Sequence, residues 1–331
     1  MSQAFALALT PGVPPGPNPR VGAVILDAEG GAVGEGYHHG AGTPHAEVAA
    51  LLAAGEAARG GTAVVSLEPC NHTGRTGPCA KALIDAGVRR VVFAQSDPNP
   101  LAAGGAMSLR AAGVEVEEGV LADEAELINE VWTFAMRHQR PFVTWKFATT
   151  LDGRSAAADG TSRWITGAKA RADVHRLRAE CDVILVGTGT IAADNPRLTV
   201  RDSADVALPA TVQPLRAVMG LRELHPESRV FDEAATTMVL PTQDPEVALA
   251  ALYARDRQHV WLEGGPTLAA AFLRAGLVDE VITYVAPALL GAGLPAVGDL
   301  GISTIGGMLS FELVEVSRVG DDVRMTMRGG S

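Results

Sequence analysis

Pro44-His45-Ala46-Glu47, then Thr62-Ala63-Val64-Val65-Ser66-Leu67, then Pro69-Cys70-Asn71-His72-Thr73-Gly74-Arg75-Thr76-Gly77-Pro78-Cys79: these segments decide how the first half of the chain folds. Pro44 suits a helix's first turn, so the pattern predicts a helix over 44–59 that opens with His45 and Glu47. The β-branched run predicts a strand over 62–67. Pro78 predicts a second helix over 78–86 with Cys79 at its start. In a first turn, His45 and Glu47 can both reach forward past the helix end. The positive end of a helix favours thiolate, the form of cysteine that binds metal.

One histidine and two cysteines make three zinc ligands and leave a fourth position open, the arrangement of a catalytic rather than a structural zinc. The metal lowers the pKa of water to about 7. Glu47 is then free to act as the base, taking the water's proton and passing it on to a ring nitrogen and a leaving amine. A lone His-x-Glu is usually surface decoration, and two cysteines nine positions apart can be plain buried side chains. Their combination in this order, at two predicted helix starts, favours hydrolytic deamination. The third thiol, Cys181, precedes an apolar strand and is expected in the core.

Outward from this stretch, strands are predicted at 21–27, 90–94 and 115–117, with helices at 108–112 and 123–138. Arg140-Pro141 stops the last helix. A second alternation follows, with strands at 142–149, 183–186, 215–219, 237–240, 260–262 and 280–285 and helices at 168–179 and 267–275. An antiparallel pair at 311–319 and 322–328 closes it around Gly320-Asp321. Alternation of this kind predicts an α/β chain of two domains, 1–140 and 141–331.

A length of 331 residues suits two cores, and 47% hydrophobic with 20% charged residues is a globular composition. The net charge of -11, without a basic run, argues against a nucleic-acid partner. No apolar run is long enough to span a membrane, and residues 1–10 lack the basic flank of a secretion signal. Three cysteines cannot build a disulfide framework, which points to cytoplasmic thiols.

In the second half, two strand-to-helix turns are rich in glycine: Gly187-Thr188-Gly189-Thr190 and Glu263-Gly264-Gly265-Pro266-Thr267. Such turns let a backbone approach a phosphate, with a helix start offering free N–H groups. Neither matches the Rossmann fingerprint.

His45-Ala46-Glu47 with Pro69-Cys70 resembles the cytidine-deaminase-like superfamily, in which the two cysteines commonly stand two residues apart; here eight residues separate them. The longer loop, with Pro17-Asn18-Pro19-Arg20-Val21-Gly22-Ala23-Val24 and Asp97-Pro98-Asn99-Pro100, resembles the deaminase half of the bifunctional riboflavin-biosynthesis deaminase/reductase family. The segments 142–154, 162–166, 193–201 and 263–268 are similar, in order, to its reductase half. The resemblance implies an N-terminal cytidine-deaminase-like three-layer α/β/α domain and a C-terminal dihydrofolate-reductase-like α/β domain. It implies that Asn18, His72 and Arg75 contact a pyrimidine nucleotide, which loses its amine and whose ribose is then reduced to ribityl. It also implies NADPH beside the zinc. Ala148, Trp164, Thr190, Asp194, Gly265, Pro266, Thr267, Leu268, Ala269, Ala270 and Ala271 would contact that cofactor. Ser162, Leu198, Arg201 and Glu263 would contact substrate, with Arg201 on its phosphate; Lys146 and Glu263 are the candidates for polar work at C1′. A homodimer through the reductase half is implied in the same way. After Asp97-Pro98-Asn99-Pro100 this chain has Ala103-Gly104-Gly105-Ala106, where the family tends to carry a basic step.

Two other readings compete. A tRNA adenosine deaminase with an appended binding domain is disfavoured by the acidic balance and by the ordered motifs of the second half. A zinc-stabilised binding protein is disfavoured by Glu47, because a structural site needs no base.

Overall fold

The apolar runs of the first half pair into one mixed sheet. In the computed structural model, which describes residues 1–13, 16–73 and 77–329, the chain divides into two units, Met1–Gln139 and Arg140–Ser331. The first contains α1 (Ser2–Ala8), β1 (Gly22–Leu26), β2 (Ala32–Tyr37), α2 (Ala46–Ala54), β3 (Thr62–Leu67), α3 (Cys79–Asp85), β4 (Arg90–Gln95), α4 (Gly105–Ala111), β5 (Glu115–Glu117), α5 (Ala122–Ile128) and α6 (Glu130–His138). Its strands lie in the order β2-β1-β3-β4-β5. β1 is antiparallel to β2 and β3, while β3, β4 and β5 run parallel. α2, α3 and α4 pack together on one face, and α1 and α5 on the other, giving three layers. Ala23, Ile25, Val65 and Phe93 of the sheet, Ala50 of α2 and Leu83 of α3 share one core.

Small residues set how close α2 comes to the sheet. A Cβ on Gly36 would lie 2.5 Å from both the Ala46 carbonyl oxygen and the Ala50 nitrogen. Only glycine lets the backbone of α2, which carries Glu47, rest directly on β2. The predicted helix over 44–59 ends sooner, because Gly55 takes φ +55° at its C-terminus and the chain continues as a short 3-10 turn.

The second unit contains β6 (Phe142–Thr150), β7 (Arg154–Ala156), α7 (Ala168–Arg178), β8 (Val183–Gly187), α8 (Thr188–Asp194), β9 (Leu215–Met219), β10 (Thr237–Leu240), α9 (Pro245–Tyr253), β11 (His259–Leu262), α10 (Pro266–Arg274), β12 (Glu280–Ala286), β13 (Leu294–Pro295), β14 (Phe311–Val319) and β15 (Asp322–Gly329). Its main sheet runs β10-β9-β8-β11-β6-β12-β15-β14. The six strands from β10 to β12 are parallel, and β15 and β14 add the antiparallel edge foreseen around Gly320. Alternate residues of β8 feed two different cores: Val183 and Leu185 on one face, Ile184 and Val186 on the other. Burial on both faces explains why these strands read as continuous apolar runs. Cys181 is buried, as expected.

The single helix expected over 123–138 is two helices, α5 and α6. They break at Asn129, whose backbone leaves the helical region at φ -113°, ψ 22°. The buried Asn129 side chain instead braces the Arg20 backbone: Oδ1 accepts from Arg20 N at 2.8 Å and Nδ2 donates to Arg20 O at 2.9 Å. This pair anchors the segment that follows Asn18. Asn129→Ala should therefore cost about 1–3 kcal/mol, read as a lower urea midpoint for the transition that reports the first unit. An unchanged midpoint would show that the brace carries no stability.

Candidate active sites

The first unit's sheet places three elements end to end around one point. His45 is the N-cap of α2, Cys70 lies three residues beyond β3, and Cys79 is the first residue of α3. Their donor atoms all lie within 4.8 Å of one another. His45 Nδ1 is 3.5 Å from Cys70 Sγ and 3.2 Å from Cys79 Sγ. A tetrahedral zinc with bonds of about 2.0 Å to nitrogen and about 2.3 Å to sulfur would hold its donors about 3.5–3.8 Å apart. The donor set and its spacing therefore fit zinc, with a fourth position left for water.

The electrostatics suit a cation here. The hydrogen bond from the Cys79 thiol, joined by the one to His45, draws the Cys70 thiol down to about 4 despite burial. Cys79, which supplies that proton, is pushed up. The hydrogen bond with Cys70 likewise raises His45. Glu47 is buried as the second residue of α2, and burial lifts its carboxyl to about 7. A carboxyl in that range can both take and return a proton near neutrality.

Asn18 is brought to the same region. Its Nδ2 lies 2.9 Å from His38 Nε2, and the other nitrogen of His38 lies 3.1 Å from the Pro44 carbonyl oxygen. The His38 and His45 rings meet edge to face at 5.3 Å. Burial lowers His38, which favours a neutral ring here. Sequence reasoning did not single out His38. His72 is half-buried, and its Nδ1 has no hydrogen-bond partner, which leaves a polar atom for a ligand. Arg75 lies outside the described residues.

In the second unit, β11 lies between β8 and β6, so three neighbouring strands deliver their C-terminal ends to one edge, where open α/β sheets bind ligands. Lys146 and Ala148 come from β6, Gly187 ends β8, and Glu263 follows β11. Glu263 is gripped by a residue the sequence did not single out. Arg178, at the end of α7, donates from Nε to Oε1 at 2.8 Å and from Nη2 to Oε2 at 2.5 Å. Trp261 Nε1 also donates to Oε1. Burial opposes ionisation of Glu263, but the Arg178 guanidinium and the Lys146 ammonium overcome it and hold the carboxyl at about 2. Burial lowers Lys146, with Glu263 opposing. Burial, with Arg178 beside it, also brings His175 down to about 4. The sequence signal available for this pair was the three-residue spacing of His175 and Arg178, which sets both on one face of the predicted helix.

Arg178 Nη1 also donates to the Thr199 carbonyl at 3.3 Å, which ties the ion pair to the loop of Leu198 and Arg201. Leu198 is buried at φ +53°, and Arg201 pairs with Asp205 at 3.0 Å. Thr190 and Asp194 stand on α8, and the Asp194 carbonyl accepts from Arg163 Nη2 at 3.0 Å. Ser162 and Trp164 precede α7. Trp164 is 69% exposed, with the Arg171 guanidinium 4.4 Å from its ring centre. Gly265 caps α10, with Pro266 as its first residue. An added Cβ on Gly265 or Gly189 would meet nothing within 4 Å, so both turns leave open room beside a helix start. That suits a phosphate-bearing cofactor. Ala269 packs in the core and Ala270 is buried, whereas Gly265 and Thr267 are exposed.

Residues 1–95 match the zinc-binding region of cytidine and deoxycytidylate deaminases, and residues 141–325 match the RibD C-terminal domain. Fold and sites thus define a class of protein: a deaminase and a reductase carried on one chain. The relatives narrow it. The chain is 51% identical over 313 residues to the riboflavin biosynthesis protein RibD of Mycobacterium tuberculosis, covering 94% of this chain and 91% of that one. It is 41% identical to RibD of Escherichia coli over 361 residues, covering 99% and 98%. Acinetobacter baumannii RibD, form 1, superposes with a TM-score of 0.90 at 39% identity, covering 100% of this chain and 98% of that one. The Thermotoga maritima diaminohydroxyphosphoribosylaminopyrimidine deaminase/5-amino-6-(5-phosphoribosylamino)uracil reductase superposes with a TM-score of 0.87 at 34% identity, covering 100% and 97%. The chain belongs to the RibD family of bifunctional deaminase/reductases of riboflavin biosynthesis, whose cofactors are zinc and NADPH.

The Glu263 carboxylate should remain ionised throughout the working range. The stabilisation it gains from Arg178 and Lys146 is present above its ordinary value of 4.5 and fades only as pH falls through about 2. The pH profile of the reductase kcat/KM should accordingly show no acid limb from this residue above about pH 5. Arg178→Met should raise the Glu263 pKa and bring such a limb into view. An identical profile in the variant would contradict the electrostatic role.

Proposed function

We propose that residues 1–140 deaminate 2,5-diamino-6-ribosylamino-4(3H)-pyrimidinone 5′-phosphate and that residues 141–331 reduce the ribosyl group of the product to ribityl. The observation that carries the first assignment is the convergence of His45, Cys70 and Cys79 beside the buried carboxyl of Glu47. These three residues would hold zinc, which when bound supplies a Lewis acid that makes hydroxide available near neutral pH. Glu47 takes the first proton of the attacking water and delivers it to the ring nitrogen, then takes the proton of the newly added hydroxyl as it becomes a carbonyl and delivers it to the amine, which leaves as ammonia. Asn18, oriented by His38, hydrogen-bonds the pyrimidine, and His72 lines its pocket.

In the reductase half, NADPH supplies hydride to C1′ of the ribose. The glycine turn before α8, the first turn of α10, Ala148, Trp164, Thr190 and Asp194 hold the cofactor. Arg201 binds the 5′-phosphate, with Ser162 and Leu198 against the sugar. Glu263, locked as a carboxylate by Arg178, cannot donate a proton at neutral pH. Lys146, whose charge Glu263 favours, therefore protonates the ring oxygen as the C1′–O bond opens.

Glu47→Gln should reduce ammonia release by about 10²–10⁴-fold while zinc stays bound and while NADPH oxidation continues on the deaminated product. If NADPH oxidation on its own substrate fails in parallel, two independent sites are ruled out.

We also propose a cytoplasmic homodimer formed through the reductase half. Among the described residues, no helix is long and apolar enough to cross a membrane. β14 is the outer strand of its sheet and exposes Leu313, Val314 and Val316, and the preceding segment exposes Ile302, Ile305 and Met308. An apolar strand edge of this kind calls for a partner. Light scattering should give twice the chain mass for the wild type and a shift toward monomer in Val316→Lys. A monomeric wild type at high concentration would reject the dimer.

A further inference from the structure

Glu68 lies between β3 and Cys70 and is 8% exposed. Among the described residues no ion pair includes it; its carboxylate is satisfied by backbone. Oε1 accepts from Gly104 N at 3.2 Å and from Ala106 N at 3.0 Å, and Oε2 accepts from Asp97 N at 3.2 Å. These three donors bracket the loop that leaves β4 and enters α4. A buried carboxylate is costly unless several donors meet it, and three directed N–H groups meet this one.

What the loop covers gives the arrangement its function. Ala102, at its centre, is packed with Cys70, Cys79 and Val48 in one small buried cluster. The Ala102 carbonyl accepts from Asn71 N at 2.8 Å, directly after Cys70. α4 also presses on the same segment: a Cβ on Gly105 would lie 1.7 Å from the Pro69 carbonyl oxygen. The loop is thus fastened on both sides of Cys70, by Asn71 after it and by Glu68 before it.

We propose that Glu68 is a positioning residue of the deaminase, whose carboxylate clasps the 97–106 segment against the Cys70–Cys79 pair and thereby controls how firmly the site retains zinc. The inference rests on the assignment of His45, Cys70 and Cys79 as the metal ligands. Glu68 does not touch the metal or the substrate; it acts through the loop that seals the sulfurs from water. Groups in this outer layer commonly change metal affinity by about 10–100-fold when removed.

The test uses the full-length, zinc-loaded enzyme and follows zinc transfer to a colorimetric chelator in wild type, Glu68→Ala, Glu68→Gln and Cys70→Ala. Thermal unfolding and reductase turnover on the deaminated substrate are measured beside it. Glu68→Ala should release zinc at least about 10-fold faster than wild type. Glu68→Gln should be intermediate, because its carbonyl still serves Gly104 and Ala106 while its NH₂ group faces the Asp97 N–H. Reductase turnover should hold in both. Wild-type release from Glu68→Ala, with Cys70→Ala failing to hold zinc, would overturn the proposal alone. Zinc retained by Cys70→Ala would overturn the ligand assignment and the proposal with it. If Glu68→Ala does not fold, Glu68→Gln decides: release at the wild-type rate, or faster release only in step with lost reductase turnover and a lower unfolding temperature, would reject a positioning role.

Discussion

Two sulfurs and an imidazole nitrogen, drawn from a helix cap, a strand exit and a helix start, all lie within 4.8 Å of one another. Their mutual hydrogen bond sets the two thiols apart, drawing Cys70 toward thiolate and pushing Cys79 up. Everything around the cluster serves that convergence. β3 carries the chain to Cys70, α3 begins at Cys79, and Gly36 lets α2 settle on β2 deeply enough to bring His45 and Glu47 to the same place.

The second unit solves a different problem by a related route. Its parallel strands are buried on both faces, so polar chemistry is confined to their ends. There Arg178 and Glu263 form a pair about 85% buried on each side. A buried pair of this kind adds little net stability and loses much if one member is removed. Its value is in fixing a charge state: Arg178 commits Glu263 as an anion. In both units a helix contributes the residue that sets the charge of a group delivered by a strand.

Most strands of both sheets and the His45, Cys70 and Cys79 cluster of the first unit were legible in the sequence, because apolar runs, prolines at helix starts and a dense group of ligands are local signals. What stayed hidden was long-range or atypical. β2 was missed because Gly34 and Gly36, which exist for close packing on α2, weaken the strand pattern. The break at Asn129 was missed because its reason is the backbone of Arg20, more than a hundred residues away. Arg178 was missed because its spacing from His175 marks a shared helix face but not the reach across to Glu263. Glu68 was overlooked beside the more conspicuous Cys70, although three backbone donors converge on it.

The central claim is one zinc per chain bound by one nitrogen and two sulfurs with a fourth place open to water. X-ray absorption at the zinc edge of the full-length protein reads this directly. The expected result is two sulfur neighbours at about 2.3 Å and two lighter neighbours at about 2.0 Å, one from His45 and one from solvent. Four sulfurs, a shell with no sulfur, or a protein that binds no zinc when supplied with it would contradict the account.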